Sequence, residues 1–221
     1  MIQIWQHLGL GDHILCNGLI RTIINPSQDY EMFVKRANEK SVSYMFRDLK
    51  NISYVGIDTI EEASEYRSRA GNPPLIQIGY GMLPGVPFDQ FFYIQHKVPY
   101  EYKWSNFYIE RDSVRERDFF DKFNVKPREY IFIFDDDRYK IDLDKVENNH
   151  LPIVKCEYGI TENIFDYLLL AQEALACHMI ESSLLFAVEQ MNLNKETFVH
   201  RYARFQDHYS IPVYKNVKCI L

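Results

Sequence analysis

Residues 2–21 read IQIWQHLGLGDHILCNGLIR, and this stretch decides the fold. Ile2 and Ile4 begin an apolar strand. A glycine loop follows, Gly9-Leu10-Gly11-Asp12-His13, and then a helix carrying Ile14, Leu15, Gly18, Leu19 and Ile23 at roughly helical spacing. Strand, glycine turn and helix in that order open a Rossmann-like half-domain. Glycines permit the tight turn and a close approach of backbone to ligand. Asp12 is thereby expected on the loop at the carboxyl end of the first strand, where open α/β sheets bind their ligands.

A chain of 221 residues suits one large domain or two small ones, and an apolar content of 47% fills a sizeable core. The net charge of -6 argues against a nucleic-acid partner. The 16 Tyr and 15 Phe suit a half-wet cleft as well as a core, because tyrosine buries a ring and keeps a polar tip. Cys16, Cys156, Cys177 and Cys219 form no CxxC pair, so buried free thiols in a reducing compartment are expected rather than a zinc site. The start has no basic segment of a signal peptide, and no apolar run approaches the length of a membrane span. A cytoplasmic protein is expected.

The remainder alternates. Short strands are expected at Glu31–Val34, Ile52–Ile57 and Leu75–Ile78, with helices from Lys35 to Leu49 and from Asp58 to about Arg69. Asp58 reads as the N-cap of the second, with Glu61 completing a capping-box pattern. The order β-α-β-α-β-α-β argues a parallel sheet with right-handed crossovers. Gly79–Pro87 forms a loop at the same sheet edge as Gly9–Asp12, Phe88–His96 a helix, and Val98–Trp104 an extended connector. A first domain over 1–106 and a smaller second α/β domain over 107–221 are expected. In the second, Arg111–Phe123 reads as a helix, Glu129–Phe134, Ile153–Val154, Cys177–Ile180 and Val217–Ile220 as strands, and Glu162–Ala176 and Leu184–Met191 as helices, the former capped by Thr161.

Four constellations carry chemistry. Asp12 is either a general base for an acceptor hydroxyl or a helix N-cap. Glu181-Ser182-Ser183, between strand and helix, is either a phosphate site or ordinary serine capping. Asp135-Asp136-Asp137-Arg138-Tyr139-Lys140 is a solvated acidic turn, a divalent-metal site, or a place where Arg138 and Lys140 neutralise a diphosphate. His200, Arg201 and Arg204 form a basic surface patch or a phosphate contact. A GxGxxG fingerprint is absent, since Ile14 holds the third glycine position, and no acidic residue closes a second strand as a dinucleotide site wants. An NAD-dependent oxidoreductase is the weaker alternative for that reason.

The opening HLGLGDHILCNGLIR resembles the N-terminal motif of the heptosyltransferase-like glycosyltransferases, and CHMIESSLLFAVEQM resembles that family's donor-domain strand, acidic-serine turn and helix. Here Glu181-Ser182-Ser183-Leu184 replaces the usual Asn/Asp-Ser/Thr-Gly with a following His, and the chain is shorter than typical members. The resemblance implies an α/β protein of GT-B type, two Rossmann-like halves with parallel sheets facing across a cleft. It implies transfer of a sugar from a nucleotide-sugar donor to a glycan or other hydroxyl acceptor, with no cofactor and no bound metal. Asp12 would be the catalytic base. Gly9, Gly11, His13, Arg138, Glu181, Ser182 and Ser183 would serve the donor, and Tyr80 and Gly81 the acceptor side. The alternative function is a non-catalytic nucleotide-binding module whose aromatic stretch Phe88–Phe107 meets a partner.

Overall fold

The computed structural model describes residues 1–81, 83–157, 159–204 and 212–221. The chain divides into two compact units, Met1–Glu110 and Arg111–Leu221. The sequence places this division after Asn106. Asn17 accounts for the difference: its side chain donates to the Tyr108 carbonyl at 3.1 Å and accepts from the Tyr108 amide at 3.0 Å, tying that segment to the first unit.

In the first unit, β1 (Ile2–Trp5), β2 (Tyr30–Lys35), β3 (Ile52–Ile57) and β4 (Leu75–Gln77) form a parallel sheet of order β3-β2-β1-β4. Five of the six residues of β2 are buried, the near-continuous burial expected of a strand covered on both faces. Trp5 and Phe33 pack with Ile57 and with Ala63 of α4 (Ile60–Arg69) on one face. Alternation sends Ile4, Met32 and Val34 to the other. The helix expected after the glycine loop is two helices, α1 (Leu10–Leu15) and α2 (Asn17–Ile23), broken at Cys16. The third helix, α3 (Glu39–Met45), follows a 3-10 turn over Arg36–Asn38. Thr59, not Asp58, caps α4: its hydroxyl accepts from the Glu62 amide at 3.2 Å, while Glu62 reaches back to the Asp58 amide at 2.7 Å. The capping box is real but lies one residue further on.

Beyond β4, α5 (Phe88–Gln95) buries Phe92 and Tyr93. The expected extended connector instead contains a short helix, α6 (Tyr102–Ser105). A Cβ on Gly18 of α2 would stand 2.0 Å from the Tyr102 carbonyl oxygen, so the two helices touch backbone to backbone. In the aromatic stretch Phe88–Phe107, Phe92 and Tyr93 are buried, and Tyr93, Tyr100 and Trp104 make successive edge-to-face contacts.

In the second unit, β5 (Ile131–Phe134), β6 (Ile153–Lys155), β7 (Ala176–Met179), β8 (Thr197–His200) and β9 (Lys218–Ile220) form a parallel sheet of order β6-β5-β7-β8-β9. The strand β8 has no counterpart in the sequence reading. α7 (Ser113–Phe120) is shorter than expected and runs into a 3-10 turn. The expected helix over Glu162–Ala176 is a 3-10 turn capped by Asn163, then α8 (Leu168–Glu173). Thr161 caps nothing helical; its hydroxyl bonds Asp166 and the Asn163 carbonyl. α9 (Ser183–Gln190) and α10 (Arg201–Arg204) follow β7 and β8. The β5–β6 connection is not an α-helix: Tyr139, Ile141, Val146 and Leu151 lay it over Ile131, Ile133, Ala176, Ile180 and Phe198. Among the described residues, no helix is long and apolar enough to cross a membrane.

Two histidines interrupt that apolar face. His178 Nδ1 lies 2.8 Å from His200 Nε2, His200 Nδ1 lies 2.9 Å from the Tyr202 hydroxyl, and that hydroxyl accepts from the Asp142 amide at 2.9 Å. Both rings are fully buried, and burial lowers both from 6.5 to about 4. Folded values below the unfolded one mean that the neutral pair's contribution is complete above pH 6.5 and is lost as pH falls from there through about 4. Denaturation at a series of pH values is expected to show this loss, at about 1.4 kcal/mol per pH unit for each histidine. His178→Gln should flatten the slope. Separately, Gly18→Ala is expected to lower the melting temperature of the first unit, with about 1–3 kcal/mol lost to overpacking against backbone that has no room to yield.

Candidate active site

The first sheet reverses its order at β1: the chain leaves β1 for β2 on one side, then returns to place β4 on the other. The loops after β1 and β4 therefore meet at the carboxyl edge, the place where such sheets bind ligands. His7 Nε2 lies 2.6 Å from the Gly79 carbonyl oxygen, and its ring stacks on Tyr80 at 5.3 Å and 13°. On the opposite flank, Asn38 donates to the Leu8 carbonyl at 2.9 Å. The glycine loop is pinned from both sides. Gly79 has φ +84°, and a Cβ there would meet His7 at 2.6 Å, so only glycine fits.

Asp12 is not the N-cap of α1; Gly9 is. Asp12 stands in the first turn with its carboxylate folded over Gly9, where a Cβ would come within 2.6 Å of Oδ2. The missing Gly9 side chain is the space the carboxylate occupies. Burial raises the Asp12 carboxyl to about 6, and the positive charge of His7 opposes that rise. The residue is half-buried, so the group is both perturbed and reachable. Gly11 lies beside it in the first turn of α1. Tyr80 is half-buried and Gly81 exposed on the facing loop. His13 is a different case: it is fully buried, paired with Gln6, and burial lowers it to about 3. Its neutral ring faces the interior of the unit rather than the loop surface.

The second sheet reverses between β5 and β7, and their carboxyl ends carry the other candidates. The acidic turn is internally bonded: Asp136 Oδ1 accepts from the Arg138 and Tyr139 amides at 2.8 Å each, and Asp135 Oδ2 from the Ile141 amide at 3.1 Å. Arg138 is exposed above it, against its own neighbour Tyr139. Among the described residues, no three His, Cys, Asp or Glu side chains converge as a metal site. Ser182 has the backbone geometry of an N-cap before α9, yet its hydroxyl makes no cap bond. The Ser182 Oγ is buried and has no hydrogen-bond partner among the described residues. Ser183 opens α9 and is half-buried. Glu181 is 1% exposed and turned inward, accepting from the Tyr214 hydroxyl at 3.0 Å. His200 does not belong to a surface patch, being buried in the histidine pair, and the Arg204 side chain lies outside the described residues.

Sequence reasoning missed His7. Its only signal is position, two residues beyond the last residue of β1, in a loop already suspected of function. The chain matches no protein-family model, no curated protein and no solved structure.

The electrostatic pairing has a direct readout. Carboxyl-carbon NMR of Asp12 is expected to titrate near pH 6, well above an exposed aspartate. His7→Gln removes the opposing positive charge, so the midpoint should rise further; an unchanged midpoint would show that His7 does not act on Asp12.

Proposed function

We propose that this chain is a metal-independent glycosyltransferase of GT-B type, moving a sugar from a nucleotide-sugar to an acceptor hydroxyl. The observation that carries the reading is Asp12: a reachable carboxylate at the reversal point of the first sheet, with burial lifting its carboxyl to about 6. A general base works best with a value near the operating pH, and this group is tuned toward it. The resemblance of the glycine loop to heptosyltransferase-like enzymes supplies the reaction class.

In this reading Asp12 takes the acceptor hydroxyl proton as the oxygen attacks the anomeric carbon. The bond from that carbon to the donor diphosphate breaks, and the nucleoside diphosphate leaves. Gly9 and Gly11 keep the approach to Asp12 open, while Tyr80 and Gly81 border the acceptor side. The second unit takes the donor: the orphaned Ser182 hydroxyl and Ser183, at the amino end of α9, meet phosphate oxygens. Arg138 is the exposed cation of the same edge. His13, buried beside Gln6 in the first unit, and Glu181, buried in the second, do not touch the donor directly.

The test has two arms. A thermal-shift screen with UDP, GDP, ADP, CMP and NAD is expected to reveal one preferred nucleoside diphosphate; a ligand at a hundred times its dissociation constant adds about 2.7 kcal/mol of apparent stability. A shift with NAD alone would sink the reading. With the donor class known, Asp12→Asn should cut turnover by about 10²–10⁴-fold and leave donor binding intact. In the wild type, kcat/KM should climb with pH through about 6 and then level, as the base ionises.

A further inference from the structure

We propose that Arg201 is the side chain that grips the donor phosphate at the carboxyl edge of the second sheet, and that Glu181 is the positioning residue that aims it. This rests on the reading of the second unit as the nucleotide-sugar side, and adds to it the principal cation and the group that sets its direction.

Arg201 begins α10 immediately after the last residue of β8. Its Nε lies 3.8 Å from Glu181 Oε1, and its guanidinium stands 5.9 Å from the Tyr214 ring centroid. At 3.8 Å the contact is an ion pair rather than a hydrogen bond. The Arg201 Nε is accordingly a buried donor with no hydrogen-bond acceptor among the described residues. The Ser182 hydroxyl, adjacent in sequence to Glu181, is a second buried group in the same condition. Other buried groups, such as Trp5 Nε1 and the Tyr54 hydroxyl, are also unmatched among the described residues, but these two lie after β7 and β8 at one carboxyl edge beside a partly open guanidinium, where an acceptor supplied from outside would match them. Phosphate oxygens suit them: Arg offers a planar fork of donors, and an amino-terminal helix turn adds amides beside it.

Glu181 explains the orientation. A carboxylate 1% exposed needs a counter-charge, and Arg201 supplies it from one edge of the guanidinium. A quarter of the Arg201 side-chain surface remains open. The backbone just before it is fixed, because the His200 ring is held by His178 on one side and Tyr202 on the other. Tyr214 steadies the same Glu181 oxygen. Arg138 has none of this support: it is exposed on a turn, against its neighbour's ring.

The experiment is calorimetric binding of UDP, GDP, ADP, inorganic pyrophosphate and the matching nucleosides to wild type, Arg201→Gln, Arg201→Lys, Glu181→Gln and Arg138→Gln. Arg201→Gln is expected to weaken the preferred diphosphate and pyrophosphate by about tenfold or more, leaving the nucleoside unchanged. Arg201→Lys keeps the charge against Glu181 but loses the fork, so it should fold and still bind the diphosphate several-fold more weakly; it carries the test if the glutamine variant does not fold. Glu181→Gln should fall between, and Arg138→Gln should weaken the diphosphate less than Arg201→Gln does. Wild-type diphosphate affinity in both Arg201 variants would overturn the inference and leave the nucleotide reading standing. Equal loss for nucleoside and diphosphate would make Arg201 structural. If the wild type binds no phosphorylated probe, the nucleotide reading fails first and the inference with it.

Discussion

Parallel pairing is the constraint on which the rest depends. Every strand pairing among the described residues is parallel, from β1 with β2 to β8 with β9. A parallel neighbour can be reached only by a crossover, so each strand hands its chain to a loop at the same edge of its sheet. That collects Gln6–Asp12 and Gly79–Gly81 at one edge of the first sheet. It collects Asp135–Arg138, Glu181–Ser183 and Arg201 at one edge of the second. Reversal of strand order at β1, and again between β5 and β7, keeps the connections from crossing over those edges. The candidate residues are scattered from Gln6 to Arg201, and topology alone gathers them within each unit.

Within the first edge, absent atoms matter as much as present ones. The carboxylate of Asp12 occupies the space a Gly9 side chain would take, and His7 the space a Gly79 side chain would take. These glycines therefore do steric work: they let two side chains lie close against the backbone, and one of them, Asp12, is buried there. The raised Asp12 carboxyl follows from that burial. Held in open solvent on a longer loop, the same aspartate would be an ordinary carboxylate.

Much of this was legible in the sequence. The strands β1 to β4 and the parallel order follow from apolar runs, glycine and proline breaks, and helical spacing. The strand β8 did not, because TFVH is only four residues, ends in His200, and runs directly into Arg201, so that its end looks basic. Only the structure shows His200 buried against His178, which turns a seeming basic patch into a strand end. For Ser182 the sequence left two readings open, phosphate site and cap. A serine before a helix reads as a cap, and nothing in the sequence reveals that its hydroxyl turns away from the cap position. The helix break at Cys16 and the 3-10 turn over Ile164–Tyr167 were invisible for a third reason: apolar spacing continues across them, while the α-helical backbone does not.

Two buried carboxylates show how the same chemistry serves different ends. Asp89, in α5, accepts from Lys103 Nζ at 2.7 Å and from the Tyr100 hydroxyl at 2.6 Å, and both charged partners are wholly buried. Lys103 also stands 4.7 Å from the Trp104 ring centroid. Desolvating both ions is costly, and close bonds repay it by fixing one packing of α5 against α6. Glu181 is as deeply buried, but its cationic partner is neither close nor fully enclosed. A pair built for rigidity would close that 3.8 Å gap, as Lys103 and Asp89 do. The open gap leaves the Arg201 Nε without an acceptor among the described residues while the charge is held beside Glu181. The two pairs thus differ in kind: one closes on itself, and the other holds a charge at a sheet edge with a donor left over, which is what the proposed phosphate contact draws on.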